Sequence, residues 1–323
     1  MAAPIDLHSY REQIVERLEI SLRRQLGEFC QYLEDPEVVE ISLNPDNKIW
    51  IDRLGDPLRC VGEMKPEAAE TFIGTVANTV RRVINYDHSS LQCRLPIGGH
   101  RFQAMCPPTT LAWVFSIRRH ASAVFPLQQY EDDGIISDIQ HQAIVAALKA
   151  ERNIFITGGT GSGKTTFVNS LLAHEYVVNS RIIICEDTPE LLWTGANVVA
   201  MCTSEKVTMR DLVIGAMRLR PDRLVIGETR EGGPMLEALK AMGTGHRGGI
   251  TTLHANSALH AVSIRIEMLL QEVSATPLRT LIAETVDVII HFEGISDFPY
   301  RKVTEIKTVR GYQNGEYDLQ NLA

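Results

Sequence analysis

The sequence predicts an α/β protein: a mostly parallel sheet in the C-terminal half, preceded by an α+β N-terminal half. Three observations carry that prediction. The apolar runs at 181–185, 224–226, 249–253 and 286–290 are continuous rather than alternating, as strands covered on both faces should be. Helical stretches separate them, which is the pattern of a parallel sheet with crossover helices. In the first half, by contrast, residues 39–43 and 48–52 alternate as half-buried strands around an Asn-Pro-Asp turn.

Taken in order, residues 8–33 place Ile14, Leu18, Leu22, Leu26 and Phe29 at helical spacing among charges. The plain reading is an amphipathic helix packed on its own domain or on a neighbouring subunit. A membrane-surface helix bearing Arg11, Arg17, Arg23 and Arg24 is the alternative, diluted by glutamates on the same helix. Pro66 opens a helix expected to run to about Ile84, and strand-like runs follow at 91–95, 101–106 and 112–118. The first domain is therefore placed at 1–125. Residues 126–137 are acidic and interrupted by Pro and Gly, and are expected to be a linker. The second domain, 138–323, starts with a helix at 138–149 and ends in a hairpin turning at Asn314-Gly315.

Composition narrows the setting. A chain of 323 residues suggests about two domains. No apolar run approaches the roughly 20 residues that cross a bilayer, and residues 1–6 lack the basic-then-apolar pattern of a secretory signal. Six cysteines without C-x-x-C spacing argue against a disulfide framework or a zinc site and favour the cytoplasm. A net charge of −8 gives no general attraction to nucleic acid or anionic lipid, so direct DNA binding is not supported.

The chemistry begins with Gly158, Gly159, Thr160, Gly161, Ser162, Gly163, Lys164 and Thr165, a full G-x-x-x-x-G-K-[ST] phosphate loop. It lies between a strand at 153–157 and a helix that begins with Thr166. Backbone N–H groups of such a loop surround a phosphate, and the helix N-terminus adds its positive end. Lys164 is expected on the β- and γ-phosphates of ATP, Thr165 on Mg²⁺, and Thr166 beside them. Three carboxylates, Glu186, Asp187 and Glu190, cluster where the strand at 181–185 ends, the edge at which open α/β sheets bind ligands. They are candidates for holding Mg²⁺ or orienting water. The strand at 224–226 ends in Gly227-Glu228, the geometry of a Walker B element, where a glutamate can polarise an attacking water. His246 and His254 flank a glycine-rich strand. Eight residues apart, with no cysteine or acid beside them, they make a poor metal pair.

The order of these boxes across 158–256 resembles the secretion traffic ATPases, which serve type II secretion, type IV pili and type IV secretion. Leu95-Pro96-x-Gly98-Gly99-His100-Arg101-Phe102 and Phe115-Ser116-Ile117-Arg118-Arg119 look like the type IV secretion branch and its conjugal-transfer members. No tetracysteine motif is present, which counts against the type II secretion and pilus-assembly branch. The resemblance implies a RecA-like P-loop ATPase that forms a homo-hexamer, with nucleotide between its two domains. It implies that Glu190 and Glu228 orient water and that His246 and His254 sense the γ-phosphate. It further implies that Arg101 and Arg118, with Arg119 less firmly, approach the phosphates from the first domain. Arg220 and Arg230 are the alternative cations, acting across a subunit boundary. The partners implied are inner-membrane components of a secretion or conjugation apparatus, with the ATPase on the cytoplasmic side. The rivals are a pilus-retraction motor, a DNA-translocating ATPase, and a nucleotide-binding scaffold with little turnover. Cys185 stands where an aliphatic residue is usual and Glu231 where glycine is common; neither removes a proposed catalytic group.

Overall fold

The computed structural model describes residues 7–53, 55–119, 124–204, 206–295 and 297–323, with side chains from residue 16 onward. The chain divides into two units, Met1–Ser122 and Ala123–Ala323.

In the first unit a helix spans Leu7–Leu26. Leu22, Leu26 and Phe29 are buried in the unit's core, in keeping with the packed reading of this segment, while Arg23 pairs with Glu34 at 2.5 Å. The side chains of Arg11 and Ile14 lie outside the described residues. Six strands form an antiparallel sheet: β1 (Val38–Leu43), β2 (Lys48–Arg53), β3 (Arg59–Glu63), β4 (Ser90–Arg94), β5 (Arg101–Met105) and β6 (Val114–Arg118). Their order is β3-β2-β1-β6-β5-β4. One face is apolar. Phe102 and Phe115 meet Phe72 of helix Pro66–Thr79, with ring centroids 5.9 and 5.4 Å apart. That helix stops short of the expected Ile84 because Arg81 takes a left-handed conformation (φ 57°) that ends the turn.

Alternation sends the neighbouring residues to the opposite face. Arg94 pairs with Arg101, Arg101 with Arg118, and Arg118 with Glu40, so three arginines and one glutamate make a single row across four strands.

The second unit is built on an eight-stranded sheet of order β14-β13-β12-β7-β11-β10-β8-β9. Six strands are parallel: β7 (Ile154–Gly158), β8 (Ile182–Glu186), β9 (Val198–Cys202), β10 (Arg223–Ile226), β11 (Ile250–Leu253) and β12 (Val288–Gly294). β13 (Arg301–Gln313) and β14 (Glu316–Asn321) run antiparallel at one side, joined through Asn314 and Gly315 at φ 54° and 88°. Ile182 and Ile184 enter one apolar layer while Ile183 and Cys185 enter the other, which is why the run carries no alternation. Burial pushes the Cys185 thiol up to about 12, so it packs as a small hydrophobe.

The stretch expected to be a linker is instead part of this unit. Helix Leu127–Asp132 buries Leu127 and Tyr130 in the core, Tyr130 lying 5.2 Å from the ring of Phe167. Leu127 and Tyr130 are three residues apart and share a face, a pairing hidden by the acidic and Pro/Gly composition around them. Helix Asp138–Lys149 carries the expected bounds, with Ser137 and Gln140 forming a capping box.

Candidate nucleotide site

The parallel strands end together at one edge, and the sequence boxes meet there. β7 runs into Gly158, whose backbone (φ 148°) passes so close to the carbonyl of Phe292 on β12 that a Cβ would collide with it. Gly161 and Gly163 also take positive φ, at 73° and 94°, and Gly163 hands the chain to helix Lys164–Ala173. The loop thus forms a backbone cradle at a helix N-terminus, the arrangement that favours a phosphate. Gly159, Thr160 and Gly161 are exposed, and Thr165 and Thr166 half-buried, in the first turn. The Ser162 hydroxyl donates to the Gly159 carbonyl at 2.9 Å and fastens the loop to itself.

Lys164 is buried inside the loop. Its ammonium donates to the carbonyls of Gly158 (2.9 Å) and Gly159 (2.6 Å) and stands 3.5 Å from His254 Nδ1. On its other side, His254 Nε2 is 2.9 Å from Glu228 Oε1. A carboxylate only accepts, so the ring proton sits on Nε2 and Nδ1 is left to accept from the lysine. Glu228 Oε2 takes Arg230 Nη2 at 2.5 Å. The result is a continuous relay, Lys164–His254–Glu228–Arg230, across the ends of β7, β11 and β10. Burial works to raise the Glu228 carboxyl, but hydrogen bonds from His254 and Arg230 outweigh it and hold the group at about 2. The Glu228 hydrogen bond raises Arg230 in turn, with Asp187 and Glu190 contributing from the acidic loop. Beneath the relay, Thr252 donates to the Gly227 carbonyl at 2.6 Å and Thr229 meets Thr251 at 3.0 Å, locking the ends of β10 and β11 together.

The acidic residues differ in use. Glu186 is buried at the end of β8, and its Oε1 accepts the backbone N–H groups of Glu190 (2.8 Å) and Leu191 (2.9 Å). It is committed to shaping the loop, which differs from the metal contact expected of it. Asp187 is exposed, and Glu190 is half-buried on the loop that Glu186 shapes. A second anchor was not foreseen: Asn169, buried on the helix that follows the phosphate loop, accepts from the Leu192 N–H at 2.9 Å. This bond ties the acidic loop to the phosphate-binding helix. Its only sequence signal is the polar pair Asn169-Ser170 inside the otherwise apolar run 167–172. Among the described residues no group of three or more His, Cys, Asp or Glu could hold a metal. Were Mg²⁺ to bind with a nucleotide, the Thr165 hydroxyl in the first turn of the helix would join phosphate and water oxygens around it, the usual manner for that ion.

The histidines separate. His246 precedes β11 and His254 follows it, so the four strand residues alone put about 13 Å between them. His246 lies at the opposite edge of the sheet from Lys164, with its Nδ1 buried and without a partner among the described residues. Arg220 likewise precedes β10, whereas Arg230 stands in the relay. A buried histidine not foreseen, His291 on β12, binds the Thr157 hydroxyl at 2.9 Å through Nδ1, and burial lowers its basicity.

In the first unit, the expected arginines are neighbours in the row Arg94–Arg101–Arg118. Like charges directly opposite one another in a sheet are unfavourable, so the row is suited to an anion. Arg94 was not foreseen; its Nε donates to the Gly99 carbonyl at 2.8 Å. Arg119 belongs elsewhere. Its guanidinium donates to the Asp35 and Val38 carbonyls, a clamp on the backbone before β1.

Three comparisons bear on this geometry. A family model described as "Type II/IV secretion system protein" matches residues 86–293. The conjugal transfer protein TrbB of Rhizobium radiobacter is 41% identical over 313 residues, 96% of this chain and 95% of that protein. The type IV secretion system protein VirB11 of Bartonella quintana is 27% identical over 87% of this chain and 91% of its own. Among solved structures, the Legionella pneumophila ATPase DotB superposes with a TM-score of 0.64 at 21% identity, covering 90% of this chain and 81% of that one; it shares the fold.

Proposed function

The chain belongs to the type II/IV secretion system protein family, and on that premise we propose that it hydrolyses ATP to drive a type IV secretion apparatus of the conjugal-transfer kind. The observation that carries the reading is the relay Lys164–His254–Glu228–Arg230, which links the phosphate loop to the end of the Walker B strand through side chains alone. The identity to TrbB over nearly the whole chain points the activity toward conjugal transfer.

When bound, ATP with Mg²⁺ supplies the γ-phosphoryl group whose transfer to water releases the energy used. The chain's own residues do the rest. Lys164 exchanges the Gly158 and Gly159 carbonyls for phosphate oxygens. Glu228, held near 2, stays ionised at any working pH and is a weak base; it accepts a hydrogen bond from water and so aims it rather than deprotonating it. Glu190, on the loop shaped by Glu186 and Asn169, is the second acceptor. His254 reads the charge on Lys164 through one nitrogen and passes it to Glu228 through the other.

In this reading the active form is a homo-hexamer attached to inner-membrane proteins of the apparatus. Among the described residues no helix is long and apolar enough to cross a membrane. The test is phosphate release from Mg-ATP by the wild type and by Glu228→Gln, alongside direct ATP binding. Turnover lost with binding retained supports the assignment; turnover that survives Glu228→Gln unchanged defeats it. Solution mass with and without Mg-ATP tests the hexamer.

A further inference from the structure

The phosphate loop has a second wall that no sequence box marks. β12 lies on the opposite side of β7 from β11, and it returns as β13, whose first residue, Arg301, pairs with Gly294. This hairpin touches two glycines of the loop. The Phe292 carbonyl presses on Gly158, and Arg301 lies across Gly163: its Nη1 is 2.6 Å and its Cδ 2.9 Å from where a Cβ on Gly163 would stand. Gly163 is therefore required twice, by its φ of 94° and by the arginine lying over it.

Arg301 is half-buried, and its side chain makes no hydrogen bond or ion pair with any described residue. The group whose titration it influences is the Tyr130 phenol, which burial pushes upward and keeps neutral, so no anion comes from there. Lys164 is already inside the same loop. Two cations thus flank one phosphate cradle, and their repulsion is relieved by an anion lying between them.

We propose that Arg301 is a phosphate-contacting residue that binds the nucleoside-diphosphate end of the nucleotide. The inference rests on the reading of 158–165 as a nucleotide site. The sheet order sets which phosphates are meant. His254 and Glu228 approach from β11 and β10 and mark the γ end. Arg301 approaches from β13, on the other flank of β7, and so faces away from the transferring group. A contact of this kind strengthens ADP and ATP binding alike and leaves the chemical step unchanged.

The experiment measures Kd for ADP and for AMP-PNP by calorimetry, with steady-state ATPase, on wild type, Arg301→Met, Arg301→Lys and Lys164→Ala. Methionine keeps an unbranched stem over Gly163 and removes the charge. For Arg301→Met, both Kd values and KM are expected to rise together by about tenfold, with kcat unchanged, the loss of one charge-assisted contact. Arg301→Lys should recover most of that loss. Matching unfolding midpoints show that the loop is intact. Should the methionine chain not fold, the lysine variant decides: a rise in both Kd values of a few-fold supports the contact, and unchanged values overturn it. ADP binding by Arg301→Met equal to wild type overturns the proposal, as does a fall in kcat with KM unchanged, which would place Arg301 at the γ end. Wild type that binds neither nucleotide overturns the nucleotide site itself, an outcome recognised because Lys164→Ala then differs in nothing.

Discussion

Polar groups are held at both edges of the second unit's parallel sheet, buried at the amino edge but, apart from Lys164, half-buried or exposed along the relay at the carboxyl edge. At the amino edge, the Asn153 amide donates to the Thr285 carbonyl and accepts from the Gly249 N–H. Arg223 gives its guanidinium to the carbonyls of Leu148, Tyr176 and Gly248. Every one of those partners is backbone, so none can be exchanged without undoing the fold. At the carboxyl edge, His254, Glu228 and Arg230 hold one another, and Lys164 holds loop carbonyls that face the ligand side. Oxygens of an arriving phosphate can replace such partners at little cost. The difference teaches that burial of a polar group does not mark a site; the kind of partner does.

The largest effect should come from removing the cation of the carboxyl edge. Lys164→Ala is expected to lower kcat by about 10³, since a charge aimed at the transferring group is lost; ATPase activity at wild-type level would break the comparison outright. Glu228→Gln should follow with a loss of about 10² in kcat. ATP binding should survive it, because an amide retains an oxygen for the His254 Nε2 proton. His254→Ala is next, at about tenfold in kcat, the cost of one charge-assisted bond. The matching change at the other edge, His246→Ala, is expected to leave ADP affinity unchanged. Equal loss of ADP affinity in the two histidine variants would mean that the sheet does not separate their roles.

The carboxyl edge was legible because its groups sit at strand ends, where a motif has fixed spacing from a continuous apolar run. That is why Lys164, Glu228 and His254 are found together. The amino edge was not, since His246 and His254 flank the same strand β11, and which end of a strand faces the ligand is invisible in spacing. Asn169, Arg94 and Arg301 escaped for another reason: each acts through a pairing set by sheet order or helix packing, across 23 residues for the Asn169–Leu192 bond. β3 and β9 were missed too: Arg59–Glu63 carries charges at both ends and is at most half-buried, and Val198–Cys202 is an edge strand whose residues are only partly buried. The stretch 126–137 was misassigned because acidic and Pro/Gly content outweighed two buried residues, Leu127 and Tyr130.

The amino edge should show itself in stability rather than rate. Asn153→Ala strands the Gly249 N–H and the Thr285 carbonyl in a buried place, which costs about 1–3 kcal/mol. Unfolding should shift by that amount in a denaturant titration, while kcat per folded molecule stays at wild type. A loss of kcat with unchanged stability would reverse the roles assigned to the two edges.

The smallest effect separates the edges by pH. Glu228 carries an ordinary value of 4.5 when unfolded and about 2 when folded, the latter set by burial opposed and outweighed by His254 and Arg230. A carboxyl depressed on folding contributes stability that is fully present above its unfolded value and lost as pH falls through the folded one. Wild type should therefore exceed Glu228→Gln in unfolding midpoint by a constant margin above pH 4.5, and the margin should shrink between about 4.5 and about 2. Asn153 has no proton to gain, so the penalty of Asn153→Ala should stay flat across that window. Melting curves of the three chains from pH 6 downward, about 1.5 units above the ordinary value, decide it. A margin for Glu228→Gln that stays constant to pH 3 would mean that the glutamate is not held by charge at all, and its place in the relay would have to be explained by packing alone.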